Sequence, residues 1–526
     1  MAVHDVAVIG GGHNGLVAAL VLAREGADVV VLEANSEPGG CIWTQALPTG
    51  HRLERGAIDH SQILDVAREL RLEEHGLRYR TRSTAVGAAF GDGTTLTFPV
   101  DRAELEHALD PTGDLDGYLH LARLGSLLFD LLDDFGVPPT LTALAAALRS
   151  LPQGDELMRL MVSSADSVLR RHLTDAHLIS ALSMHASHSQ VPSFMPGTGS
   201  FALLLPASAG TSPARPEGGS AALIEALVRA LEAAGGKLMV DSAVEGIEDL
   251  GRCRRIRLAG GSTVDAGRVV STIDVRRTTG LVDAPPPSLR DIAGDTHDGS
   301  LNVGELKVDV ALDARVPLGP LEAAPGALWM VQSDVDALHR SYGDVLAGRV
   351  PTGTAFMWAS PSETDPAAAP PGGSVMWMSA FVPLRPATGE WTHGMEEDAA
   401  QRILEGFAAM TGTDLRSRAV EVAITGPVGW ARRLGSATGN PNHLDLTLDQ
   451  LLGWRPRGAG AHRSPLWWLY LSGAGTHPGG GLSGLPGKNA AAAVLEDLHG
   501  GRRRRSRGGR VASLRAGLEL YRTMRR

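Results

Sequence analysis

At 526 residues and 43% hydrophobic content, the chain can build two or three domains with substantial cores, and no apolar run approaches the twenty residues of a membrane span. A formal net charge of −10 argues against a general nucleic-acid binder. Cys41 and Cys253 are the only cysteines and form no C-x-x-C pair, which excludes a disulfide framework, disulfide-reductase chemistry and a zinc-type cysteine cluster.

The run Val6-Ala7-Val8-Ile9 has no polar alternation and reads as a strand buried on both faces. Gly10-Gly11-Gly12-His13-Asn14-Gly15 follows and opens a helix predicted over 14–25, with Leu16, Ala19, Leu20 and Ala23 on its apolar stripe. Gly26 caps that helix, and 27–32 form a second buried strand ending at Glu33. A G-x-G-x-x-G in a βαβ unit is a dinucleotide fingerprint. Gly10 permits the tight turn, Gly12 the approach of a pyrophosphate, and Gly15 close helix–strand packing. The helix N-terminus offers unpaired N–H groups and partial positive charge to the phosphates. Glu33 is placed to accept hydrogen bonds from ribose hydroxyls, which argues against a 2′-phosphate and hence NADP; Asn14 and Ala34 complete the expected contacts here. A second match, Gly197-Thr198-Gly199-Ser200-Phe201-Ala202, follows Pro196 with no strand before it and reads as a loop, leaving one dinucleotide site. With the fingerprint starting at residue 6, no signal peptide is expected, and a reducing cytoplasm fits the cysteine usage.

Further along, 50–59 reads as a short strand and turn, 96–99 as a strand, and 101–182 as mostly helical by the spacing of its leucines, an insertion that covers a cavity. Residues 192–216, rich in Pro, Gly and Ser, read as a long loop. A helix with Leu223, Leu227 and Leu231 on one face ends at Gly235-Gly236 and leads into strands at 237–240, 243–247, 255–258, 263–264 and 269–272. A second sheet is expected from 305–312, 327–332, 355–359 and 375–382. The pairs Trp329-Met330, Met357-Trp358 and Met376-Trp377-Met378 make either a polarisable pocket wall or a buried face packed on helices. A last strand at 469–471 enters the glycine-rich run 472–487 and a helix over 488–498, repeating the N-terminal logic of close backbone approach at a helix mouth. Arg502 to Arg505, Arg507 and Arg510 beside Val511, Leu514, Leu518 and Tyr521 read as a solvated tail, or alternatively as a peripheral contact with anionic lipid.

Pro38-Gly39-Gly40 with Thr44, and the run from Ser472-Gly473-Ala474-Gly475-Thr476-His477-Pro478 to Gly481-Leu482-Ser483-Gly484, resemble the flavoprotein superfamily of amine oxidases and phytoene desaturases. Further matching blocks are 50–59, with Glu54 where Asp is usual, the Pro-rich stretch 360–372, and His443 after Gly439-Asn440, so the resemblance covers 5–498. It implies FAD as cofactor, with Gly39, Gly40 and Thr44 extending the fingerprint's contacts, Val244 on the adenine side, and Gly473, Ala474, Gly475, Gly481, Leu482 and Ser483 around the flavin. Ala474 stands where many relatives have an acid holding the ribityl chain.

The implied fold is α/β: a Rossmann-type FAD-binding domain from 1–95, 216–290 and 456–500, and a substrate domain with helices at 96–215 and a mixed sheet at 291–455, before a basic tail at 501–526. The implied reaction takes a hydride from an apolar organic small molecule to flavin N5. It would form C=C, or C=N from an amine, with oxygen or a quinone as acceptor. The absence of an unambiguous acid or base keeps open a flavin-binding structural or interaction protein with little turnover. Lysine occurs only at 237, 307 and 488, and Lys307 matches a lysine that amine oxidases place near N5 through a water; the alternative is a strand-edge lysine facing solvent. His477 either acts beside the flavin or fixes the loop by a hydrogen bond, His443 faces substrate or closes a turn, and Cys41 reads as a small buried residue.

Overall fold

The computed structural model describes residues 3–136, 138–353 and 355–500, so the basic tail and both readings of it lie outside the described residues. Val3–Ile9 forms the centre of a seven-stranded sheet, parallel to Val29–Leu32 on one side and to Thr263–Ser271 on the other. Lys237–Met239 extends the sheet beyond 29–32, and Leu469–Leu471 pairs in parallel with 263–271. Val244–Asp249 and Arg254–Leu258 add an antiparallel ribbon. Start, middle and end of the chain therefore build one sheet.

Both faces of that sheet are covered, which is why its central strands lack polar alternation. Val6, Val8 and Val31 pack with Leu16 and Leu20 of His13–Arg24, Leu227 of Ala221–Ala233 and Val494 of Leu485–Gly500. Ala7, Ile9 and Val30 pack on the other side with Val244, Ile247 and Ile256. Val6, Ala7 and Val8 have no exposed surface.

A second seven-stranded sheet runs in the order Ala419–Thr425, Val303–Leu312, Ser374–Pro383, Phe356–Ala359, Leu328–Gln332, Thr84–Phe90, Thr95–Pro99. All its pairs are antiparallel except 328–332 with 84–90. The division expected at residue 95 thus falls inside a hairpin that belongs wholly to the second sheet. Trp329, Trp358, Met376 and Met378 share one face with Leu306, Val308 and Val310, packed on Ile403, Leu404 and Phe407 of helix His393–Thr411. These Trp and Met residues are a sheet–helix core, the second of the two readings. Met330, Met357 and Trp377 face the opposite way, into the core under the helical layer.

That layer runs from Arg102–Leu109 to Ala176–Ser187. The stretch 192–216 is not a plain loop: it holds a 3-10 turn at Gly199–Leu203, a short helix at Leu204–Ala207 and a strand at Ala214–Pro216. Its apolar segment packs on helix Leu115–Asp134, where a Cβ on Gly125 would come within 2.6 Å of Ala207 Cβ. The second glycine match sits there as packing, Gly199 lying against the Leu160 carbonyl. No helix among the described residues is long and apolar enough to cross a membrane.

A Cβ added to Gly15 would lie 2.0 Å from the Gly10 carbonyl oxygen, whereas one on Gly280 meets nothing within 4 Å. In urea denaturation Gly15→Ala should lower stability by about 1–3 kcal/mol or more, and Gly280→Ala should leave it unchanged or raise it by up to about 1 kcal/mol.

Candidate functional site

At the carboxyl ends of the central strands, where open parallel sheets bind ligands, a long cleft opens to solvent. Its walls include Gly10, Gly12, Asn14, Gly15, Glu33, Ala34, Gly39, Gly40, Val244, Gly473 and Ala474, all expected from the sequence, together with His13, Asn35, Arg277, Arg432, Arg433 and His443. Gly10, at φ 100°, makes the turn, and a Cβ there would strike Thr272 Oγ1 at 2.5 Å. Gly12 is the open position: a Cβ would meet nothing closer than 3.9 Å, so ligand can come up to the backbone.

Glu33 is buried, its Oε2 accepting from Gly11 N at 2.7 Å and its Oε1 from Asn35 N at 2.9 Å and Asn35 Nδ2 at 2.7 Å. These bonds fix the carboxylate at the second strand's end and leave lone pairs for further donors. Around the same cleft His13 Nε2, Asn14 Oδ1, Arg433 Nη2 and His443 Nδ1 are buried and unpartnered. Buried polar groups are normally bonded, so these four mark where a polar ligand completes the site. Arginines, a helix N-terminus and an open glycine suit a diphosphate, and Glu33 suits a ribose.

Arg433 has no local sequence signal, because its partners are distant. Its Nε donates to the Gly40 carbonyl at 3.1 Å and its guanidinium lies 5.0 Å from the ring centre of Trp43, which Arg55 flanks at 5.5 Å. Arg455, fully buried, donates to the carbonyls of Asn442, Leu444, Asp445, Gln450 and Ala474, tying the C-terminal glycine loop to the 440–450 segment. Sequence reasoning missed both; His13, inside the fingerprint itself, was visible.

Several expected contacts lie elsewhere. Thr44 does not line the cleft: its hydroxyl donates to Glu54 Oε2 at 3.1 Å and accepts from Ala221 N at 3.0 Å, tying a hairpin to the start of helix 221–233. Gly475 packs beside His443 and Leu444, exposed Gly481 lies against Gln62, Leu482 joins the core with Leu16, and Ser483 Oγ accepts from Leu485 N at 3.3 Å. These positions and His477 belong to the loop beyond the cleft wall.

Lys307 does not face solvent. At 1% exposure its Nζ donates to the Glu54 carbonyl at 2.6 Å and Asp309 Oδ1 at 3.1 Å, and lies 4.2 Å from the Trp377 ring centre. Burial pulls its pKa down and pushes that of Asp309 up, while each opposes the shift in the other. On the same strand Glu305 accepts from Ser379 Oγ at 2.5 Å, and its charge acts on both Cys41 and His188. Desolvation drives the thiol of half-buried Cys41, at the cleft wall, up to about 11, so it stays protonated. His339 Nε2 contacts both Asp166 at 2.6 Å and Ser193 at 3.4 Å; one nitrogen serves both, so the ring cannot relay a proton as in a hydrolase triad.

Two mixed-topology sheets with a dinucleotide cleft at the end of the first are the architecture of an FAD-dependent oxidoreductase. The chain belongs to the flavin containing amine oxidoreductase family, whose model matches residues 15–495. It is 26% identical over 552 residues to pyridine nucleotide-disulfide oxidoreductase domain-containing protein 2 of Rattus norvegicus, covering 94% of each chain. It is 27% identical to the lycopene-forming phytoene desaturase of Pseudescherichia vulneris, covering 93% of this chain and 99% of that one. Among solved structures, cyclohexylamine oxidase from Brevibacterium oxydans shares the fold at TM-score 0.60 and 16% identity, over 95% of this chain and all of that one. FAD is the cofactor.

Burial lowers the pKa of His13 and His477 from 6.5 to about 4, so both are neutral at pH 7. Unfolding lets each bind a proton below pH 6.5, so the stability they contribute is full above that value and is lost as pH falls toward 4. Each unit of difference is worth about 1.4 kcal/mol at most. Thermal melts by circular dichroism should show Tm falling through this window, with a shallower fall in His13→Asn.

Proposed function

We propose that the enzyme removes the elements of hydrogen from an apolar organic substrate and leaves a C=C bond, the flavin being reoxidised by oxygen or a quinone. The observation that supports this over amine oxidation is the position of Lys307, whose ammonium is taken up by the Glu54 carbonyl, Asp309 and the Trp377 ring rather than presented to the cleft. The phytoene desaturase and hydroxyneurosporene desaturase among the relatives, at 27% identity each, agree with it.

Bound FAD supplies the hydride acceptor. The chain's own groups hold it and manage the proton. Arg433, the open Gly12 backbone and the N-terminus of His13–Arg24 would hold and neutralise the diphosphate. Glu33 would engage the ribose and Val244 the adenine, while Gly473 and Ala474, which line the cleft, would approach the flavin end, with Gly475 and the 481–483 turn packed behind them. Desaturation releases a proton as well as a hydride, and we propose as its acceptor Glu305, which accepts from Ser379 Oγ at 2.5 Å and lies within electrostatic reach of Cys41 at the cleft wall. Lys307 acts indirectly, pinning the backbone at Glu54, while Trp377 Nε1 donates to the neighbouring Gly56 carbonyl at 3.1 Å.

Anaerobic mixing of the FAD-loaded enzyme with saturated or partly unsaturated isoprenoid hydrocarbons, and separately with primary and secondary amines, tests the reading. Loss of the flavin's visible absorption with the hydrocarbons alone is expected; bleaching by amines alone would replace C=C with C=N formation.

A further inference from the structure

Far from the fingerprint, three helices of the cover bring nitrogen and oxygen donors to one point. His120 lies in Leu115–Asp134, Glu156 in Gly154–Val162, and His172 ends Ala165–His172. His120 Nε2 stands 2.9 Å from Glu156 Oε1, and His172 Nε2 stands 3.7 Å from the same oxygen. The three donor atoms lie within 4.8 Å of one another, and no other trio of His, Cys, Asp or Glu donors among the described residues converges in this way.

The arrangement is held from behind. Gly117 sits one turn before His120, and a Cβ there would lie 2.1 Å from the His172 carbonyl oxygen, so glycine is what lets the end of one helix settle against the other. The chain leaving His172 is then pinned by Asp114, only 6% exposed: Oδ2 accepts from Thr174 N at 2.7 Å and Asp175 N at 2.6 Å, and Oδ1 accepts from Thr174 Oγ1 at 3.0 Å. Two of the three side chains therefore start from backbone whose relative position is fixed before any ligand arrives.

We propose that His120, Glu156 and His172 bind a divalent transition-metal ion of the zinc, cobalt and nickel class, with water completing its coordination. Two imidazoles and one carboxylate suit these borderline ions and not magnesium or calcium, which take all-oxygen sets. Zinc bonds of about 2.1 Å in a tetrahedron separate neighbouring donors by roughly 3.4 Å, and the separations of 2.9 and 3.7 Å bracket that spacing. Side-chain exposures of 33% for His120, 37% for Glu156 and 17% for His172 leave a solvent side for water. The bound ion clips three helices of the cover together and takes no part in the flavin reaction.

Full-length, FAD-loaded protein treated with a chelator and dialysed should bind Zn²⁺ in calorimetric titration at a site that raises Tm by linkage and gives tetrahedral Co²⁺ absorption. His120→Ala should abolish this site, and Glu156→Gln, which keeps the side-chain shape, should weaken it by about tenfold or more. Circular dichroism and flavin content of Glu156→Gln show whether the variant is folded. Zinc binding lost with both intact supports the site. Absence of zinc binding to the wild type, or equal binding by wild type and Glu156→Gln, overturns it.

Discussion

Thr272, just past the end of strand Thr263–Ser271, is the wedge on which the cofactor site is built. Its hydroxyl donates to the Ile9 carbonyl at 2.9 Å and closes on Gly10, and its carbonyl oxygen would lie 2.3 Å from a Cβ on Gly473. The two glycine loops, separated by almost the whole chain, thus meet on one residue. Neither loop tolerates a side chain at the contact, so their spacing is set by backbone packing rather than by flexible groups. Each leads into a helix whose first N–H groups lack intrahelical partners, and two such mouths held at a fixed distance suit a long ligand with an anionic middle.

The second sheet is coupled to this site through a buried ionic cluster. Lys307, Asp309 and Arg55 lie together, Arg55 Nη1 standing 3.7 Å from Asp309. Removing one member of such a group leaves a charge uncompensated in a low dielectric. Lys307 and Trp377 bond to the carbonyls of Glu54 and Gly56, and Gly56 in turn packs against the Cys41 carbonyl, where a Cβ would come within 2.0 Å. The wall of the cleft from Gly39 to Cys41 is therefore backed by the second sheet. The lysine that resembles a catalytic group is held in this cluster by the Glu54 carbonyl, Asp309 and the Trp377 ring.

What was readable in the sequence follows from range. Val6 to Glu33 could be read whole because its strand, turn and helix are specified by neighbours in sequence: Gly10 makes the turn, Gly15 packs against it, and Gly12 is left open. The Trp and Met pairs showed buried strands but not which face met which layer, since that depends on the partner helix 393–411. Thr44 was carried over by resemblance and proved to serve a hairpin, its hydroxyl taken by Glu54 and Ala221. Arg433 and Arg455 left no local pattern: one reaches Gly40 across the fold, and the other collects carbonyls from a loop with no regular period. The stretch 192–216 misled because its prolines and glycines outweighed an apolar run that only tertiary packing turns into helix.

The central claim is that a single FAD spans both glycine loops, its diphosphate held by Arg433. Titrating the apoprotein with FAD, and separately with FMN and with ADP-ribose, while following flavin fluorescence or heat, tests it most directly. One FAD per chain is expected, bound far more tightly than either half, with Arg433→Ala weakening FAD by roughly ten- to a hundredfold, the loss of a charge-assisted bond worth about 1.5–3 kcal/mol. FMN binding as tightly as FAD, or a protein that takes up no flavin, would contradict the account.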